Sequence, residues 1–290
     1  MNVFRNASSR ADSPDVTLIV TCYNKPELLK IVLQTAILQT TPPKEIIVAD
    51  DGSKEENFTA TREIRAQTSI PIIHAWQPDE GFRLNRSRNN ALSLATGEYV
   101  VLLDGDCFVG PHFIEDHRAA ARKGRFVAGT RVQIWTRLKE RILATGDARV
   151  GLFTRGVSKR QYAVRSRLLS KLASTQDKPG AWVTSKNAAG ANVGFWLEDA
   201  VRANGFNEVF VGYGGDDVEF FTRLSRLGVA RFKMRYLGAA YHFRHDDRAR
   251  IPRENFQAQL DASLEDDRIR VKDEFGLTRA LREGVPRVER

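Results

Sequence analysis

Short apolar runs alternate with longer helix-like segments along the first hundred residues of the chain. The short runs have the length and composition of buried strands, and they cover residues 16–20, 45–49, 71–76 and 99–103. The longer segments predict helices, and they cover residues 26–39, 55–67 and 85–96. Strands and helices that alternate in this way form a parallel sheet with helices on both faces. We therefore predict an α/β fold with a Rossmann-like, mostly parallel central sheet.

Polar residues follow three of these runs, at the point where each predicted strand ends. They occupy residues 21–24, 50–53 and 104–106. Because ligands bind at the carboxyl ends of the strands in such sheets, the three sets should share one site. The last set, Asp104-Gly105-Asp106, supplies two carboxylates, and Mg²⁺ and Mn²⁺ prefer oxygen ligands. The sequence therefore predicts a ligand site with a divalent metal ion at this edge.

The remainder of the chain divides by composition. Residues 118–178 are rich in Lys and Arg and predict a basic helical insertion. Residues 180–246 regain an apolar pattern, whereas residues 247–290 form a charged C-terminal extension. We expect one domain over residues 1–246, in which residues 15–110 and 180–246 are the two functional halves.

The formal net charge of +9 favours anionic partners, which include nucleic acid, nucleotide diphosphates and an acidic membrane surface. In the basic segment, Leu168, Leu169 and Leu172 fall among the charged residues. This pattern is typical either of a solvated helix or of an element that lies on a membrane surface. A basic nucleic-acid-binding protein would leave the acidic motifs unexplained, so we expect no nucleic acid partner.

Cysteine usage and the hydropathy of the chain bear on its compartment. Cys22 and Cys107 are too few for a disulfide framework, which favours a reducing environment. Residues 1–15 lack the apolar core of a secretory signal, and no run approaches the roughly 18 apolar residues of a membrane span. We expect a cytoplasmic protein. A further expectation is peripheral contact with the anionic inner face of the cytoplasmic membrane through the basic insertion.

A second acidic pair, Asp216 and Asp217, opens a predicted helix over residues 216–227. The helix dipole in a first turn favours ionised carboxylates, which keeps a base ready. Two histidines, His242 and His245, follow downstream. Metal carboxylates, a separate acidic pair and late histidines together favour metal-assisted transfer from a charged nucleotide donor.

Several of these segments together resemble a known enzyme family. Thr-Cys-Tyr-Asn at 21–24 and Asp-Asp-Gly-Ser at 50–53 resemble the nucleotide-binding half of family 2 glycosyltransferases, which have the GT-A fold. Asn-Gly-Phe-Asn-Glu at 204–208 and Gly-Tyr-Gly-Gly-Asp-Asp-Val-Glu at 212–219 are similar to the acceptor-side motif of β-1,4-galactosyltransferases and chondroitin-polymerase-type enzymes. The resemblance extends over about residues 15–246. It implies an inverting transfer from a nucleotide sugar to a glycan or glycolipid acceptor, in bacterial capsule or lipopolysaccharide synthesis.

The resemblance implies a UDP-sugar donor and assigns roles to the residues at the donor edge. Asp51, with Asp50 close by, should accept from the uracil N3–H. Thr21 and Tyr23 should line the pocket of the base. Two arginines are candidates for contact with the base or the phosphates, and they are Arg83 and Arg88.

The resemblance also implies a metal ion and a general base. Asp106 should bind the metal, while Asp104 should hold the donor ribose or the water shell of the metal. Either His242 or His245 should complete the metal site. The mixed oxygen and nitrogen ligands favour Mn²⁺ over Mg²⁺. Two acidic residues act on the acceptor, with Asp217 as the base and Asp216 as the group that orients the acceptor sugar.

A sugar-nucleotide pyrophosphorylase is an alternative, since it also uses a nucleotide-binding parallel sheet. That class needs a glycine-rich phosphate loop after the first strand. The residues found there are Thr-Cys-Tyr-Asn-Lys-Pro at 21–26, which contain no glycine. The transferase interpretation therefore accounts for more of the sequence.

Overall fold

The computed structural model describes residues 13–180, 190–212, 215–244, 260, 263 and 269–290. Four parallel strands form one half of a nine-stranded central sheet, in the spatial order third, second, first, fourth. They are β1 (Val16–Cys22), β2 (Glu45–Asp50), β3 (Ile72–Trp76) and β4 (Tyr99–Asp104). Nearly all of their side chains are buried, which explains the continuous apolar runs.

The register of these strands brings their carboxyl ends to one edge. Cys22 of β1 lies beside Asp50 of β2, and Thr21 lies beside Asp104 of β4. The polar residues that follow each strand therefore meet where the sequence predicts.

Three helices connect these strands, and the third has an unusual buried face. They are α1 (Pro26–Ile37), α2 (Glu55–Arg65) and α3 (Leu84–Leu94). α1 and α2 pack against each other. α3 instead buries a set of polar side chains, which are Asn85, Ser87, Arg88, Asn89 and Asn90. Because buried polar groups need hydrogen-bond partners, this face of α3 places a polar network beside the donor edge.

The second half of the central sheet is mixed. Four more strands build it, namely β6 (Arg125–Ala128), β9 (Thr175–Gln176), β10 (Asn192–Trp196) and β11 (Ala230–Lys233). β10 runs antiparallel to both β4 and β6, whereas β11 runs parallel to β6 and antiparallel to β9. The α/β prediction is confirmed, but the sheet as a whole is mixed rather than mostly parallel.

A smaller sheet of four strands lies beside the central one. Its strands are β5 (Cys107–Val109), β7 (Arg131–Ile134), β8 (Val157–Ser158) and β12 (Ala240–Phe243). β12 pairs antiparallel with β5 and parallel with β7. This sheet holds the Asp-Gly-Asp turn next to the late histidine.

The basic segment 118–178 is only partly helical, which corrects the prediction of a helical insertion. It supplies strands to both sheets, and β7 alternates half-buried Arg131 and Gln133 with buried Val132 and Ile134. The many charged residues hid this strand pattern. The helices described between residues 113 and 226 are α4 (Phe113–Ala120), α5 (Thr136–Thr145), α6 (Arg167–Ala173), α7 (Leu197–Arg202) and α8 (Asp216–Arg226).

The C-terminal residues pack onto the first half of the fold. Helix α9 (Leu277–Glu283) lies against α3, and Leu277 and Ala280 are buried there. Strand β13 (Arg287–Glu289) then pairs antiparallel with β3 and closes that edge of the sheet. Residues 269–290 are therefore an integral part of the domain, not a loose extension. Within the described residues, no helix combines the length and apolar composition that crossing a bilayer needs.

We predict that His117 of α4, which is buried in its neutral form, makes a contribution to stability that is lost in acid. Its Nε2 lies 2.9 Å from Asn192 Oδ1, and burial lowers the pKa of His117 to about 4. The unfolded chain takes up this proton near pH 6.5, so the contribution of His117 to the free energy of unfolding should fall as the pH drops from about 6.5 to 4, whereas buried carboxyls with raised pKa values, Asp51 and Asp217, act in the opposite direction. Urea denaturation at several pH values measures this. The His117→Gln variant should lack the contribution of His117 to this pH dependence. If the free energy of unfolding changes with pH in the same way in the variant and in the wild type, the assignment is wrong.

Candidate active site

Asp51, directly after β2, is a buried carboxylate whose two oxygens both accept hydrogen bonds. Gln77 Nε2 donates to Oδ1 over 2.7 Å, and the backbone N–H of Arg83 donates to Oδ2 over 2.9 Å. Burial raises the pKa of Asp51 to about 7, although these two hydrogen bonds lower it. The Arg83 guanidinium instead donates to the Glu80 carbonyl, so the backbone of Arg83 makes the contact. Each carboxylate oxygen still has a second lone pair for a ligand N–H.

The end of β1 supplies two side chains to the same edge. Tyr23 is 48% exposed, and its hydroxyl donates to Asp79 Oδ2 over 2.9 Å. Thr21 donates to Asp104 Oδ1 over a long 3.5 Å. An exposed aromatic ring and a carboxylate that accepts an N–H are what a flat, hydrogen-bonding nucleobase requires.

Asp50 does not face this edge, which corrects its prediction as a nucleotide contact. It is entirely buried, with Oδ2 at 2.7 Å from His74 Nε2 and Oδ1 accepting the Ser53 backbone N–H over 2.8 Å. Cys22 approaches the same two side chains, and the ligand atoms of Cys22, Asp50 and His74 lie within 4.8 Å of one another. Burial raises the pKa of Cys22 well above its usual range, so the thiol stays protonated and is a poor metal ligand. Asp50 therefore supports the turn before Ser53 from inside the sheet.

A candidate metal site lies between the Asp-Gly-Asp turn and β12. The β5–β12 register pairs His242 with Cys107, and His242 Nε2 lies 3.4 Å from Asp106 Oδ2. Gln133 Oε1 lies 2.9 Å from His242 Nδ1 and accepts from it. With Nδ1 held by Gln133, Nε2 faces Asp106, which is the orientation that metal-binding histidines adopt. Burial and the adjacent Asp106 raise the pKa of Asp104, the third side chain of this group.

The acidic pair at the start of α8 surrounds one buried guanidinium. Arg88 Nη1 donates to Asp216 Oδ2 in a close ion pair, and it lies 3.1 Å from Asp217 Oδ1. Asp217 Oδ1 is buried and lacks a hydrogen bond of good geometry. Burial and the charge of Asp216 raise the pKa of Asp217 to about 7, whereas Arg88 lowers it. A carboxylate with these properties can take a proton near neutral pH.

Arg88 does not lie at the base pocket, where the sequence places it as one candidate. Its guanidinium is nearly fully buried between the acidic pair and Asp104, with Nη2 at 3.9 Å from Asp104 Oδ1. The donor-side and acceptor-side carboxylates therefore share one cation. This is a non-local contact that no linear motif indicates.

The sequence analysis missed three residues that shape the site. Gln77 and Gln133 orient Asp51 and His242 respectively. The position of Gln77 directly after a predicted strand could have signalled its role, whereas Gln133 lies in a strand that the sequence analysis did not predict. At Gly190 the backbone passes so close to Asp217 that any Cβ would collide with its carboxylate. His245, and Tyr213 of the motif at 212–219, lie outside the described residues.

Two family models match the chain in succession. The first, described as glycosyl transferase family 2, matches residues 17–174. The second, described as the N-terminal domain of galactosyltransferase, matches residues 170–246. Their boundary follows the division between the donor-side strands and the acceptor-side pair.

Similar proteins include large polymer-forming enzymes. The chain is 28% identical over 237 residues to hyaluronan synthase of Pasteurella multocida, covering 73% of this chain and 23% of that protein. It is 28% identical over 239 residues to chondroitin synthase of Escherichia coli, covering 78% and 34%. It is 26% identical over 235 residues to validoxylamine A glucosyltransferase of Streptomyces hygroscopicus subsp. limoneus, covering 74% and 49%. The chain thus spans less than half the length of these relatives.

Solved structures share the fold at low sequence identity. S. aureus TarS 1-349 in complex with UDP-GlcNAc superimposes with a TM-score of 0.57 at 15% identity, over 87% of this chain and 67% of that one. A mannosyltransferase from Pyrobaculum calidifontis in complex with GDP-Man and Mn²⁺ gives a TM-score of 0.56 at 18% identity, over 82% and 59%. The GT-A fold expected from the resemblance is confirmed.

Proposed function

We propose a reaction for this chain on one premise: it belongs to glycosyl transferase family 2. The proposed reaction moves a sugar from a UDP-sugar to a hydroxyl of a glycan or glycolipid acceptor, with inversion at the anomeric carbon. One observation carries it. Asp217, a half-buried carboxylate with a raised pKa, lies across Arg88 from Asp104 at the donor edge. The proposed proton acceptor is therefore adjacent to the donor site but is not one of the residues that bind the donor.

The donor half of the site suits a uridine nucleotide. Asp51 accepts the N3–H of uracil, and Tyr23 lies against the base. The carboxylate is held as an acceptor by the donors Gln77 and Arg83, so it meets the base without rearrangement.

The residues at the Asp-Gly-Asp turn fit a divalent metal ion. Asp106 and His242 face each other with an oxygen and a nitrogen donor, and Asp104 adds a second carboxylate. This mixed donor set suits Mn²⁺ better than Mg²⁺. When bound, such an ion neutralises the negative charge that develops on the departing diphosphate. His245 stays a further candidate ligand.

Asp217 acts as the general base. The acceptor oxygen forms a bond to the anomeric carbon while the bond from that carbon to the diphosphate breaks, and the hydroxyl proton passes to Asp217. Arg88 keeps the carboxylate in place, and Asp216, which shares Arg88, orients the acceptor sugar. A single base on the face opposite the leaving group is sufficient for inversion.

The relatives and the surface of the basic segment suggest where the reaction takes place. Similarity to hyaluronan and chondroitin synthases supports a role in bacterial surface polysaccharide synthesis, such as capsule or lipopolysaccharide. Helix α6 exposes three leucines, Leu168 (69%), Leu169 (41%) and Leu172 (77%), beside Lys171. Exposed apolar side chains with basic neighbours suit an anionic lipid surface. We therefore place the enzyme at the cytoplasmic face of the membrane.

Slow hydrolysis of a UDP-sugar should depend on Mn²⁺ and should be lost in Asp106→Ala, because this variant removes a metal ligand. UDP release from a panel of UDP-sugars, with metal and with chelator, measures this and identifies the sugar. Glu80→Ala, which removes an exposed carboxylate outside the proposed metal site, is the control. Equal hydrolysis by Asp106→Ala and the wild type would overturn the metal assignment.

Asp217→Asn should lower transfer to the acceptor by about 10²–10⁴-fold, since it removes the proton acceptor. Binding of UDP and Mn²⁺, measured by calorimetry, should stay within a few-fold of the wild type because Asp217 lies outside the donor edge. Near-normal turnover in this variant would exclude Asp217 as the base.

The double variant Leu168→Ser, Leu172→Ser should reduce co-sedimentation with phosphatidylserine vesicles at low salt by about tenfold or more, since it removes two apolar anchors. Leu38→Ser is the matched control, because Leu38, directly after α1, is 70% exposed and lies outside the basic segment. If the wild type does not sediment with anionic vesicles, the membrane assignment is wrong.

A further inference from the structure

The C-terminal helix α9 reaches the donor edge through a buried side chain. α9 lies beyond residue 246, where the second family model ends. Its Arg279 is 5% exposed and donates from Nη2 to Asn90 Oδ1 of α3 over 2.8 Å. A buried guanidinium is rarely placed in a domain without a partner that needs it.

Two amide side chains continue from Arg279 to Asp51. Asn90 Nδ2 donates to Gln77 Oε1 over 2.9 Å, and Gln77 Nε2 donates to Asp51 Oδ1 over 2.7 Å. Asn90 and Gln77 are each 1% exposed, and Asp51 is 4% exposed. The four side chains therefore form one buried relay from the C-terminal helix to the carboxylate that faces the base.

The chemistry of its two ends sets the direction of this relay. A guanidinium can only donate, so it turns the Asn90 oxygen towards itself and the Asn90 amide nitrogen towards Gln77. Gln77 must then accept from Asn90 and present its own nitrogen to Asp51. The ionised carboxylate at the far end can only accept, which agrees with this orientation.

A second contact keeps Arg279 from turning away. Its Nε donates to Glu208 Oε2 over 2.8 Å, and the side chains of Arg279 and Glu208 are both nearly fully buried. Glu208 also accepts from Asn89 Nδ2 over 2.8 Å. A lysine has a single ammonium group and lacks the planar fork that serves Glu208 and Asn90 together.

We propose that Arg279, Asn90 and Gln77 are positioning residues that fix Asp51 as a hydrogen-bond acceptor and so select uracil over cytosine. The inference rests on the proposed function, because it takes Asp51 as the partner of the base. Uracil presents an N–H at position 3, whereas cytosine presents a lone pair there. A carboxylate that is held in place as an acceptor binds the N–H of uracil and repels the lone pair of cytosine.

Reversing Gln77 should therefore change the specificity of the site. Its Oε1 would then face the Asp51 carboxylate and the Arg83 carbonyl, the two acceptors to which Gln77 Nε2 donates in the wild type. The negative charges of Asp50 and Asp79 already raise the pKa of Asp51. Asp51 would take up a proton to relieve this repulsion, and a protonated carboxyl can donate to cytosine N3. Preference for UDP would fall while binding of the diphosphate persists.

Asn90→Asp is the sharpest test because it changes one amide into an acceptor of nearly the same shape. The new carboxylate can accept from both Arg279 and Gln77, so Gln77 reverses. Calorimetry with UDP and with CDP, in Mn²⁺ at about pH 8.5, above the pKa of about 7 that burial gives Asp51, gives the ratio of the two dissociation constants. We expect the wild type to prefer UDP and Asn90→Asp to lose about tenfold or more of that preference.

Asn85→Asp is the matched control, because Asn85 is buried in the same helix and donates over 2.8 Å to the Asn207 carbonyl outside the relay. It should keep the UDP preference. If thermal melting shows that Asn90→Asp is unfolded, the same calorimetry on Arg279→Lys tests the relay instead. This variant should also lose the preference for UDP.

The outcomes separate the two levels of the proposal. A wild type without UDP preference overturns the assignment of uracil to Asp51. A wild type that prefers UDP, together with an Asn90→Asp or Arg279→Lys protein that keeps the full preference, overturns the relay alone.

Discussion

One buried cation, Arg88 of α3, connects the two functional halves of this fold. Burying a guanidinium costs several kcal/mol unless charged partners surround it. Asp216 and Asp217 from α8 and Asp104 from β4 supply those partners. Without Arg88 these three carboxylates would repel one another and the start of α8 would be free to move away. The ion pair therefore fixes the distance between the donor edge and the proton acceptor.

The pairing of β10 with β4 also holds the donor edge close to the proton acceptor, in this case through the backbone. Asn192 lies opposite Leu103, and the Asp104 backbone N–H donates to the Ala191 carbonyl over 3.3 Å. The chain enters β10 past Gly190, where only a glycine leaves room for Asp217. An antiparallel strand inserted beside β4 thus brings the acceptor side against the donor side. A purely parallel sheet would have placed a crossover helix there instead.

The sequence predicts features that depend on residues near one another in the chain, but not features that depend on contacts between residues far apart in the chain. The strands before Asp51 and Asp104 and the helix that begins at Asp216 follow from local patterns, and all are present. The relay behind Asp51 could not be predicted, because Asn90 and Arg279 are separated by 189 positions. The strand over 131–134 was missed because it is short and lies among many charged residues, which disguise its two-residue period.

Two carboxylates, Asp51 and Asp217, illustrate why local sequence alone cannot assign roles. Burial raises the pKa of both Asp51 and Asp217 to about 7. Asp51 receives a hydrogen bond on each oxygen, which commits it to a fixed acceptor geometry. Asp217 Oδ1 has only an ion pair with Arg88, without the geometry of a hydrogen bond, and this smaller number of donors leaves the Asp217 carboxylate better able to receive a proton. Hydrogen-bond donors thus make one carboxylate a recognition group, and their smaller number suits the other to proton transfer.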